Sequence, residues 1–356
     1  MALVPWVLAR LVVGGTLVLG RFSYTNVGAG RRPVALTQGL FAWDAAFYRA
    51  IAEHGYQRVD GSLRFFPLVP LMARAIGWLT GDAVALLLVV NVSALVLAVV
   101  LARLTRFETG DDGTVDRVLW LVALAPPAAV LVLGYAEAVF MALSVGAFLG
   151  LRRRHWWSAA AAGFLAGLTR PFGALLAPAA AIEAARGWSA VPVRERAARL
   201  VAVVAPVAGT VSYLVWVGVR FGDWLEPLHL QQRPVARGGT QDPVRSLSHS
   251  ASALLGRHHV GTGLHFVSAV LFVALLVLVA RRLPASYTVF VGLGLAVVLS
   301  AHNLDSTERY GFSLFPLLVA AAMVTRRELV ARAVFVVCGG GLVAYSLLMF
   351  FGLYVP

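Results

Sequence analysis

The stretch Phe41-Ala-Trp-Asp-Ala-Ala-Phe-Tyr-Arg-Ala-Ile-Ala-Glu-His-Gly-Tyr56 governs how the rest of the chain is interpreted. It follows the first apolar segment and precedes Phe65-Phe-Pro-Leu-Val-Pro70. Its residues form two neighbouring strips at helical spacing, the first with Trp43, Phe47, Ala50 and His54 and the second with Asp44, Tyr48 and Gly55. The pattern predicts a short amphipathic helix on a membrane surface, with a carboxylate at its start.

Asp44 has two compatible interpretations at this position. Aspartate is favoured as a helix N-cap, because its side-chain oxygen accepts hydrogen bonds from free backbone N–H groups. A Trp-Asp pair just outside a membrane span is unusual in so apolar a chain, and the functional interpretation is a catalytic carboxylate held at the membrane surface.

The composition is that of a polytopic helical membrane protein. The chain has 356 residues, of which 60% are hydrophobic, and its mean hydropathy is +0.80. Soluble domains are nearer about 45–50% apolar. Repeated apolar runs of about 17–22 residues are long enough to cross a bilayer. We therefore expect one transmembrane domain over residues 1–356 and no separate soluble domain.

The charge pattern argues against a nucleic-acid partner. Basic residues number 30 and acidic residues 17, a formal net charge of +13, and every basic residue is arginine. The arginines are scattered between apolar runs, as expected at cytoplasmic helix ends and near anionic lipid. The abundance of Ala, Val, Leu and Gly beside arginine indicates a bacterium with a GC-rich genome.

Apolar runs and arginine clusters together predict the topology. Transmembrane helices are expected near residues 4–20, 83–104, 117–133, 135–151, 157–169, 172–186, 199–220, 265–281, 285–301, 311–325 and 331–353. Segment 65–80 contains two prolines and is short for a span, so we expect it to be interfacial or re-entrant. About eleven crossings then place the arginine clusters in the cytoplasm, the N-terminus inside and the C-terminus outside.

The remaining polar segments fall on the outer side of this topology. They include a first outer loop of about residues 21–64, a long outer loop of about residues 221–264, and the segment 301–310. The first loop carries Arg21, Arg31, Arg32, Arg49, Arg58 and Arg64, against the positive-inside trend. Either the orientation is reversed or these arginines have a function such as binding a lipid phosphate, for which the planar guanidinium is suited.

Two ionisable residues lie within otherwise apolar surroundings. Glu137 stands between two apolar runs, a costly position that points to function; the alternative is a carboxylate that reaches water from the turn. Arg170 stands between two apolar half-spans and needs a carboxylate or phosphate partner. The alternative for Arg170 is a structural ion pair with a neighbour such as Glu137.

Two further segments mix polar and aromatic residues. The loop 220–232 contains Asp223, Gln231 and Gln232 among aromatic residues, which suits either a sugar or an ordinary interfacial loop. The cluster 302–310 ends in Arg309 and Tyr310. Arg309 is expected either to neutralise the phosphate of a lipid carrier or to anchor the chain at the interface. The sequence has no nucleotide-binding signature and no metal-ligand spacing.

An ordered series of short motifs resembles the PIG-V-like mannosyltransferases, the family of the enzyme that adds the second mannose of the glycosylphosphatidylinositol anchor. The motifs are Trp43-Asp-Ala45 with Tyr48 and Gly55-Tyr56; Phe65-Phe-Pro67; Tyr135-Ala-Glu137 with Phe140; Thr169-Arg-Pro-Phe-Gly173; Phe221-Gly-Asp223 with Gln231 or Gln232; and Arg309-Tyr310 with Phe315-Pro316. They follow the family's order along nearly the whole chain. The family's Thr-Arg-Ser-Asn-Gly pattern differs here, since Pro171 and Phe172 replace its third and fourth residues.

The resemblance implies an all-α GT-C glycosyltransferase fold in a multi-pass cell-membrane protein. It implies a polyprenyl-phosphate-mannose donor, an active site on the extracytoplasmic face, and catalysis by an acidic residue of the first loop, here Asp44. We expect an inverting transfer to a glycolipid or glycan acceptor, with Asp44 as general base and no essential metal, because arginine alone can neutralise a phosphate leaving group.

The predicted site residues divide by role. The residues expected to bind the donor phosphate are Arg309, Arg170 and Arg49. Those expected to contact the substrates are Trp43, Tyr48, Glu137, Tyr135, Asp223, Gln231, Gln232, His302 and Tyr310. One alternative keeps the fold with another polyprenyl-phosphate sugar. A second is a lipid-linked sugar transporter or flippase, although the polar groups cluster on one side and not at the midplane, where transporter sites lie.

Overall fold

The computed structural model describes residues 2–27, 32–233, 236–255, 260–302 and 304–355; for Arg58 and for residues 253–255 and 260–263 it describes the backbone alone. In this part of the chain the secondary structure is helical, apart from one isolated β-bridge between Thr240 and Ala301. The α-helices are α1 (Leu3–Val27), α2 (Val34–Gln38), α3 (Asp44–His54), α4 (Leu68–Thr80), α5 (Asp82–Thr109), α6 (Asp112–Leu124), α7 (Glu137–Arg152), α8 (Trp156–Thr169), α9 (Leu176–Ala185), α10 (Val193–Phe221), α11 (Glu226–Gln231), α12 (Pro243–Leu255), α13 (Val260–Arg282), α14 (Ala285–Leu299), α15 (Thr307–Ser313), α16 (Pro316–Val324) and α17 (Glu328–Phe350).

Five of these helices are long and apolar enough to cross a membrane. The candidate spans are Leu3–Asn26, Asp82–Thr109, Val193–Phe221, Leu264–Arg282 and Glu328–Phe350. A span needs about 20 residues. The predicted all-α polytopic fold is therefore confirmed, whereas the predicted number of about eleven crossings stays a prediction. α4, in the segment expected to be interfacial, has only 13 residues.

Three predicted spans are interrupted, so their prediction as continuous helices was wrong. Span 117–133 is α6 followed by the 3-10 helix Pro126–Leu131; span 172–186 begins in the 3-10 helix Pro171–Leu175 before α9; and span 311–325 is divided between α15 and α16. Each break lies at a proline, which lacks a backbone N–H donor and clashes with the preceding helical turn. Non-helical backbone at membrane depth requires burial in protein or a cavity.

Small residues bring α8 and α10 into close contact. A Cβ atom on Gly167 would lie 2.2 Å from the Pro206 carbonyl oxygen, and one on Gly209 would lie 2.0 Å from the Phe164 carbonyl oxygen. Small residues at such contacts let helix backbones approach in membranes. The contact fixes the end of α8, immediately before Arg170.

The predicted amphipathic helix is α3, and its inner face is buried against the bundle. Ala45, Tyr48 and Ile51 of α3 belong to the main hydrophobic core. The Gly134 N–H donates to the Leu40 carbonyl at 3.1 Å, and a Cβ on Gly134 would lie 3.3 Å from the Ala45 Cβ. The turn before α7 therefore packs directly on the start of α3, which brings Glu137 near Asp44.

Candidate active site

A cavity of about 280 Å³ lies where the starts of α3, α7 and α15 meet the end of α8. Seven of the predicted site residues line it: Asp44, Tyr48, Glu137, Arg170, Gln231, Arg309 and Tyr310. Phe65, Phe66, Phe172 and Leu175 supply much of its apolar wall. Residues that are more than 250 positions apart in sequence therefore share one concave site.

Asp44 is the first residue of α3 and is not that helix's N-cap. Trp43 precedes the helix with φ 60° and ψ −127° and makes no side-chain capping bond. A positive φ is strained for tryptophan, and such strain persists where its surroundings fix it. Here the indole Nε1–H donates to the Met349 carbonyl at 3.1 Å, and the Asp44 N–H donates to the Tyr135 hydroxyl at 3.4 Å.

The Asp44 carboxylate belongs to a chain of four alternating charges. Arg309 Nη1 donates to Asp44 Oδ2 at 2.6 Å, and Arg170 Nη1 donates to Glu137 Oε1 at 2.7 Å. Arg309 Nε lies 3.3 Å from Glu137 Oε1, an ion-pair contact without hydrogen-bond geometry. Buried charges require such partners. The four side chains thus form one neutral network.

Exposure separates Asp44 from the other three members of this network. The Asp44 side chain is 27% exposed, whereas the Glu137 side chain is 2% exposed, so Glu137 does not reach water from its turn. Asp44 Oδ1 accepts no hydrogen bond from any residue that the structure describes. Asp44 is therefore the carboxylate that a substrate can reach.

Local backbone geometry positions the two arginines. Arg170 has an extended backbone, φ −161° and ψ 152°, as expected for a residue before proline, and this ends α8. Arg309 lies in the first turns of α15, with its guanidinium 5.2 Å from the Tyr135 ring centroid and 5.0 Å from that of Tyr310. The two tyrosines, both buried, restrict the movement of Arg309.

A second buried cluster holds α15 in place. His265 Nδ1 lies 2.8 Å from Glu308 Oε2, and the Tyr354 hydroxyl donates to the same oxygen at 3.0 Å. His265 Nε2 lies 3.3 Å from Asp305 Oδ1. Glu308 directly precedes Arg309, so the cluster anchors the part of α15 that carries Arg309. Sequence interpretation missed His265 and Tyr354, because only the tertiary fold brings them to Glu308.

The remaining predicted site residues lie outside the cavity lining. Arg49 donates to Glu53 at 2.7 Å and its side chain is 44% exposed. Tyr135 is fully buried beneath Asp44, and Trp43 is engaged with Met349. Gln232 is exposed on the long loop, and the exposed His302 borders a separate polar groove. Of the first-loop arginines and the last polar cluster, Arg31, Asn303 and the Arg58 side chain lie outside the described residues.

Asp223 also lies outside the cavity and belongs to a surface cluster. Its ligand atom and those of Glu226 and His229 lie within 4.8 Å of one another, a spacing that a cation would tolerate. The Leu225 N–H and the His229 ring lower the pKa of Asp223. Hydrogen bonds thus already occupy this carboxylate, and the expectation that no metal is needed stays a prediction.

Two cavity arginines had no assigned role in the sequence interpretation. Arg64 was noted only as one of several first-loop arginines, and Arg237 lies in the long loop of residues 221–264. The Arg237 guanidinium carbon lies 4.5 Å from the Tyr310 ring centroid. The Arg64 guanidinium carbon lies 4.7 Å from the Phe65 ring centroid. An arginine in a loop predicted to be extracytoplasmic was the available signal, since it departs from the positive-inside trend.

Comparison with solved structures identifies the fold. The chain is similar to ArnT from Cupriavidus metallidurans, solved with undecaprenyl phosphate bound, with a TM-score of 0.52 and 16% identity over 93% of this chain and 62% of that one. It has the GT-C glycosyltransferase fold. The Archaeoglobus fulgidus oligosaccharyltransferase, solved with Zn and sulfate, gives a TM-score of 0.47 and 12% identity over 98% of this chain and 52% of that one.

The chain thus spans less than two thirds of the length of either solved protein. No protein-family model matches it, and no curated protein matches its sequence. The narrower resemblance to PIG-V-like mannosyltransferases stays a prediction.

Proposed function

We propose that this chain is a membrane glycosyltransferase that moves mannose from a polyprenyl phosphate to a hydroxyl group of a glycolipid or glycan on the extracytoplasmic face. The observation that carries the proposal is Asp44, a carboxylate held by Arg309 in the lining of a cavity in a GT-C fold, with one oxygen that accepts no hydrogen bond from the described residues. The undecaprenyl phosphate bound to ArnT supports a lipid-linked donor, and the motif resemblance supports mannose.

Asp44 acts as general base in this reaction. The acceptor hydroxyl oxygen attacks the anomeric carbon while its proton passes to Asp44 Oδ1. The bond between the anomeric carbon and the phosphate oxygen breaks, and its electron pair leaves with the polyprenyl phosphate. Attack opposite the leaving group inverts the anomeric configuration. A positioned base contributes about 10²–10⁴ in rate.

Arg309 serves to hold this base in place. Its hydrogen bond to Oδ2 leaves Oδ1 for the acceptor, and its position between Asp44 and Glu137 fixes the guanidinium. As Asp44 accepts the proton, negative charge moves from the carboxylate to the phosphate. The arginines that line the cavity compensate that charge, because cations already in position need no reorganisation during the reaction.

The cavity's size and lining fit a single sugar residue. Its volume of about 280 Å³ is near the lower end of ligand pockets, about 300–1,000 Å³. Gln231 and Thr169 offer polar groups for hydroxyls, and the rings of Phe65 and Phe172 offer apolar surface. Glu137 Oε1 contacts both Arg170 and Arg309, so Glu137 is placed to orient Arg170.

Transfer of radiolabelled mannose from polyprenyl phosphate mannose tests the proposal. Membranes containing the wild type, Asp44→Asn or Asp112→Asn are incubated with that donor and a host lipid and glycan extract. Asp112 is the matched control, because it is also an aspartate paired with an arginine, Arg106, at 2.6 Å, but does not line the cavity.

The wild type and Asp112→Asn should label a product, and Asp44→Asn should lose at least about 10²-fold in rate while remaining folded. Full activity of Asp44→Asn would remove Asp44 from catalysis. Label transfer from polyprenyl phosphate glucose, galactose or arabinose instead would support the proposed glycosyl transfer and replace mannose with that sugar. If folded protein transfers label from none of the four donors, the proposed glycosyltransferase activity is wrong, and the alternative of a lipid-linked sugar transporter is favoured.

A further inference from the structure

The charges that line the cavity do not balance. Its lining includes four arginines, Arg64, Arg170, Arg237 and Arg309, but only two carboxylates, Asp44 and Glu137. Arg309 and Arg170 are each paired with a carboxylate at 2.6 and 2.7 Å. Arg64 and Arg237 pair with no carboxylate among the residues that the structure describes. The lining therefore carries two positive charges in excess.

Arg237 is the clearer of these two unpaired cations. Its Nε is buried and has no hydrogen-bond partner in the described part of the chain. Its Nη2 donates to the Val298 carbonyl at 3.1 Å. Burial, with smaller contributions from Arg309 and Arg170 against that of Tyr310, lowers the pKa of Arg237. An arginine in this condition lacks a counter-ion.

The fold places Arg237 in the cavity through specific backbone contacts. The His302 N–H donates to the Gly239 carbonyl at 2.9 Å, and the Gln241 N–H donates to the Ser300 carbonyl at 2.7 Å. Gly238 has a φ of 66°, a left-handed conformation that favours glycine. Three constraints on residues 238–241 thus hold the loop against the chain segment after α14, with Arg237 at its inner end.

Arg64 approaches the cavity from the first outer loop. Its guanidinium carbon lies 5.0 Å from the Phe47 ring centroid and 4.7 Å from that of Phe65. The Tyr213 hydroxyl donates to the Leu63 carbonyl at 2.8 Å and fixes the backbone beside it. Stacking on rings uses the face of a guanidinium and leaves its N–H edges for a planar or tetrahedral anion.

We propose that Arg237 and Arg64 bind the phosphate of the lipid-linked donor, while Arg309 and Arg170 hold the two carboxylates. This inference rests on the proposed function and replaces the phosphate ligands expected from the sequence. The donor phosphodiester carries one negative charge, and the leaving polyprenyl phosphate, a monoester, carries up to two. Two unpaired guanidinium groups fit the leaving group better than the donor, so they stabilise the charge that develops on transfer.

Binding of undecaprenyl phosphate to the purified full chain in detergent tests this assignment. The variants are Arg237→Gln, Arg237→Lys and Arg64→Gln, and the control is Arg233→Gln, an exposed arginine of the same loop that does not line the cavity. Loss of one hydrogen-bonded charge corresponds to a decrease in affinity of about 10- to 100-fold. We expect that decrease for Arg237→Gln, a smaller one for Arg64→Gln, partial retention by Arg237→Lys and wild-type affinity for Arg233→Gln.

The outcomes separate this inference from the proposed function. Wild-type affinity of folded Arg237→Gln and Arg64→Gln, with sugar transfer intact, would overturn the phosphate site and leave the reaction standing. If binding depends on Arg237 but no sugar is transferred, the phosphate site is supported and the proposed sugar transfer is wrong. Inorganic phosphate should compete only at far higher concentration, because it lacks the chain. Equal competition by inorganic phosphate would assign the site to free phosphate and contradict a lipid-linked ligand.

Discussion

Each end of α7 carries a buried ionic network, and the two networks differ in whether their carboxylates and arginines are fully paired. At its start, Glu137 joins Asp44, Arg309 and Arg170 beside the cavity; at its end, Arg152 joins Glu108 and Glu183. The helix has 16 residues, so the networks are about 24 Å apart. Both combine arginines with carboxylates in apolar surroundings.

The network at the end of α7 is saturated. Arg152 donates to both oxygens of Glu108, at 2.7 and 3.3 Å, and to Glu183 Oε2 at 3.1 Å. The Tyr287 hydroxyl donates to Glu108 Oε1 at 2.9 Å, and the Ser286 hydroxyl donates to Glu183 Oε1 at 2.5 Å. Each of the four carboxylate oxygens therefore has a donor. A network with every member satisfied rigidifies a core and leaves nothing for a ligand.

The network at the start of α7 is incomplete. The Asp44 side chain is 27% exposed, and its Oδ1 accepts no hydrogen bond from the described residues. Arg237 lines the same cavity, and its buried Nε has no partner among the described residues. Buried polar groups are normally hydrogen-bonded, so an unpaired one needs an explanation. Of the two ionic networks of α7, the incomplete one at its start is therefore the one available to a ligand. Substitutions in the two networks should accordingly affect different quantities.

The largest effect is expected from Arg152→Met at the saturated network. The substitution removes the arginine that pairs with Glu108 and leaves Glu183 with Arg186 at 3.3 Å. Breaking a buried pair on one side costs about 3–5 kcal/mol of stability. Thermal unfolding in detergent, compared with that of Arg153→Met at the exposed neighbouring position, measures this loss. Sugar transfer per folded molecule should stay at the wild-type level. A folded Arg152→Met protein with impaired transfer would show that the two networks are coupled, and would contradict the expectation that they affect different quantities.

Arg309→Lys should produce the next largest effect, and it should fall on catalysis. Lysine keeps the charge but cannot bridge Asp44 and Glu137 with a rigid planar group. Misplacement of a catalytic group costs about 10²-fold in rate, or about 2.7 kcal/mol. Steady-state kinetics should show the loss in kcat, with the KM for donor little changed. A raised KM with normal kcat would instead support the sequence-based assignment of Arg309 to the donor phosphate.

The members of the incomplete network could be predicted from sequence because charge stands out in an apolar chain. Asp44, Glu137, Arg170 and Arg309 were each selected on that ground, and the Glu137–Arg170 pair was one of the alternatives. Arg49 shows a signal that was available but not used. The buried face of α3 contains Ala45, Tyr48, Ile51 and Ala52, and helical periodicity places Arg49 outside it.

Arg237 could not be predicted in the same way. Its position depends on backbone hydrogen bonds between residues 239–241 and 300–302, about 60 positions later, which leave no periodic pattern in the sequence. The interruptions of the predicted spans at Pro126 and Pro171 were foreseeable from proline chemistry. Apolar runs alone did not show which side of each proline stays helical.

The same substitution made once in each environment gives the smallest and sharpest test. Tyr287 and Tyr354 are both buried, and each donates its hydroxyl to a buried glutamate, Glu108 at 2.9 Å and Glu308 at 3.0 Å. Tyr287→Phe and Tyr354→Phe each remove one hydrogen bond to a charged group, so both should lower stability by about 1.5 kcal/mol. Their effects on stability should be alike in thermal unfolding.

Only Tyr354→Phe should also slow sugar transfer, because Glu308 directly precedes Arg309 and anchors the turn of α15 from which Arg309 reaches Asp44. Tyr287→Phe acts on the saturated network, whose residues do not line the cavity, so its kcat should equal that of the wild type. Equal kcat values for both variants would show that Arg309 keeps its direction without the Glu308 cluster. A lower kcat for Tyr354→Phe alone, with KM unchanged, would identify that cluster as the support that keeps Arg309 on Asp44.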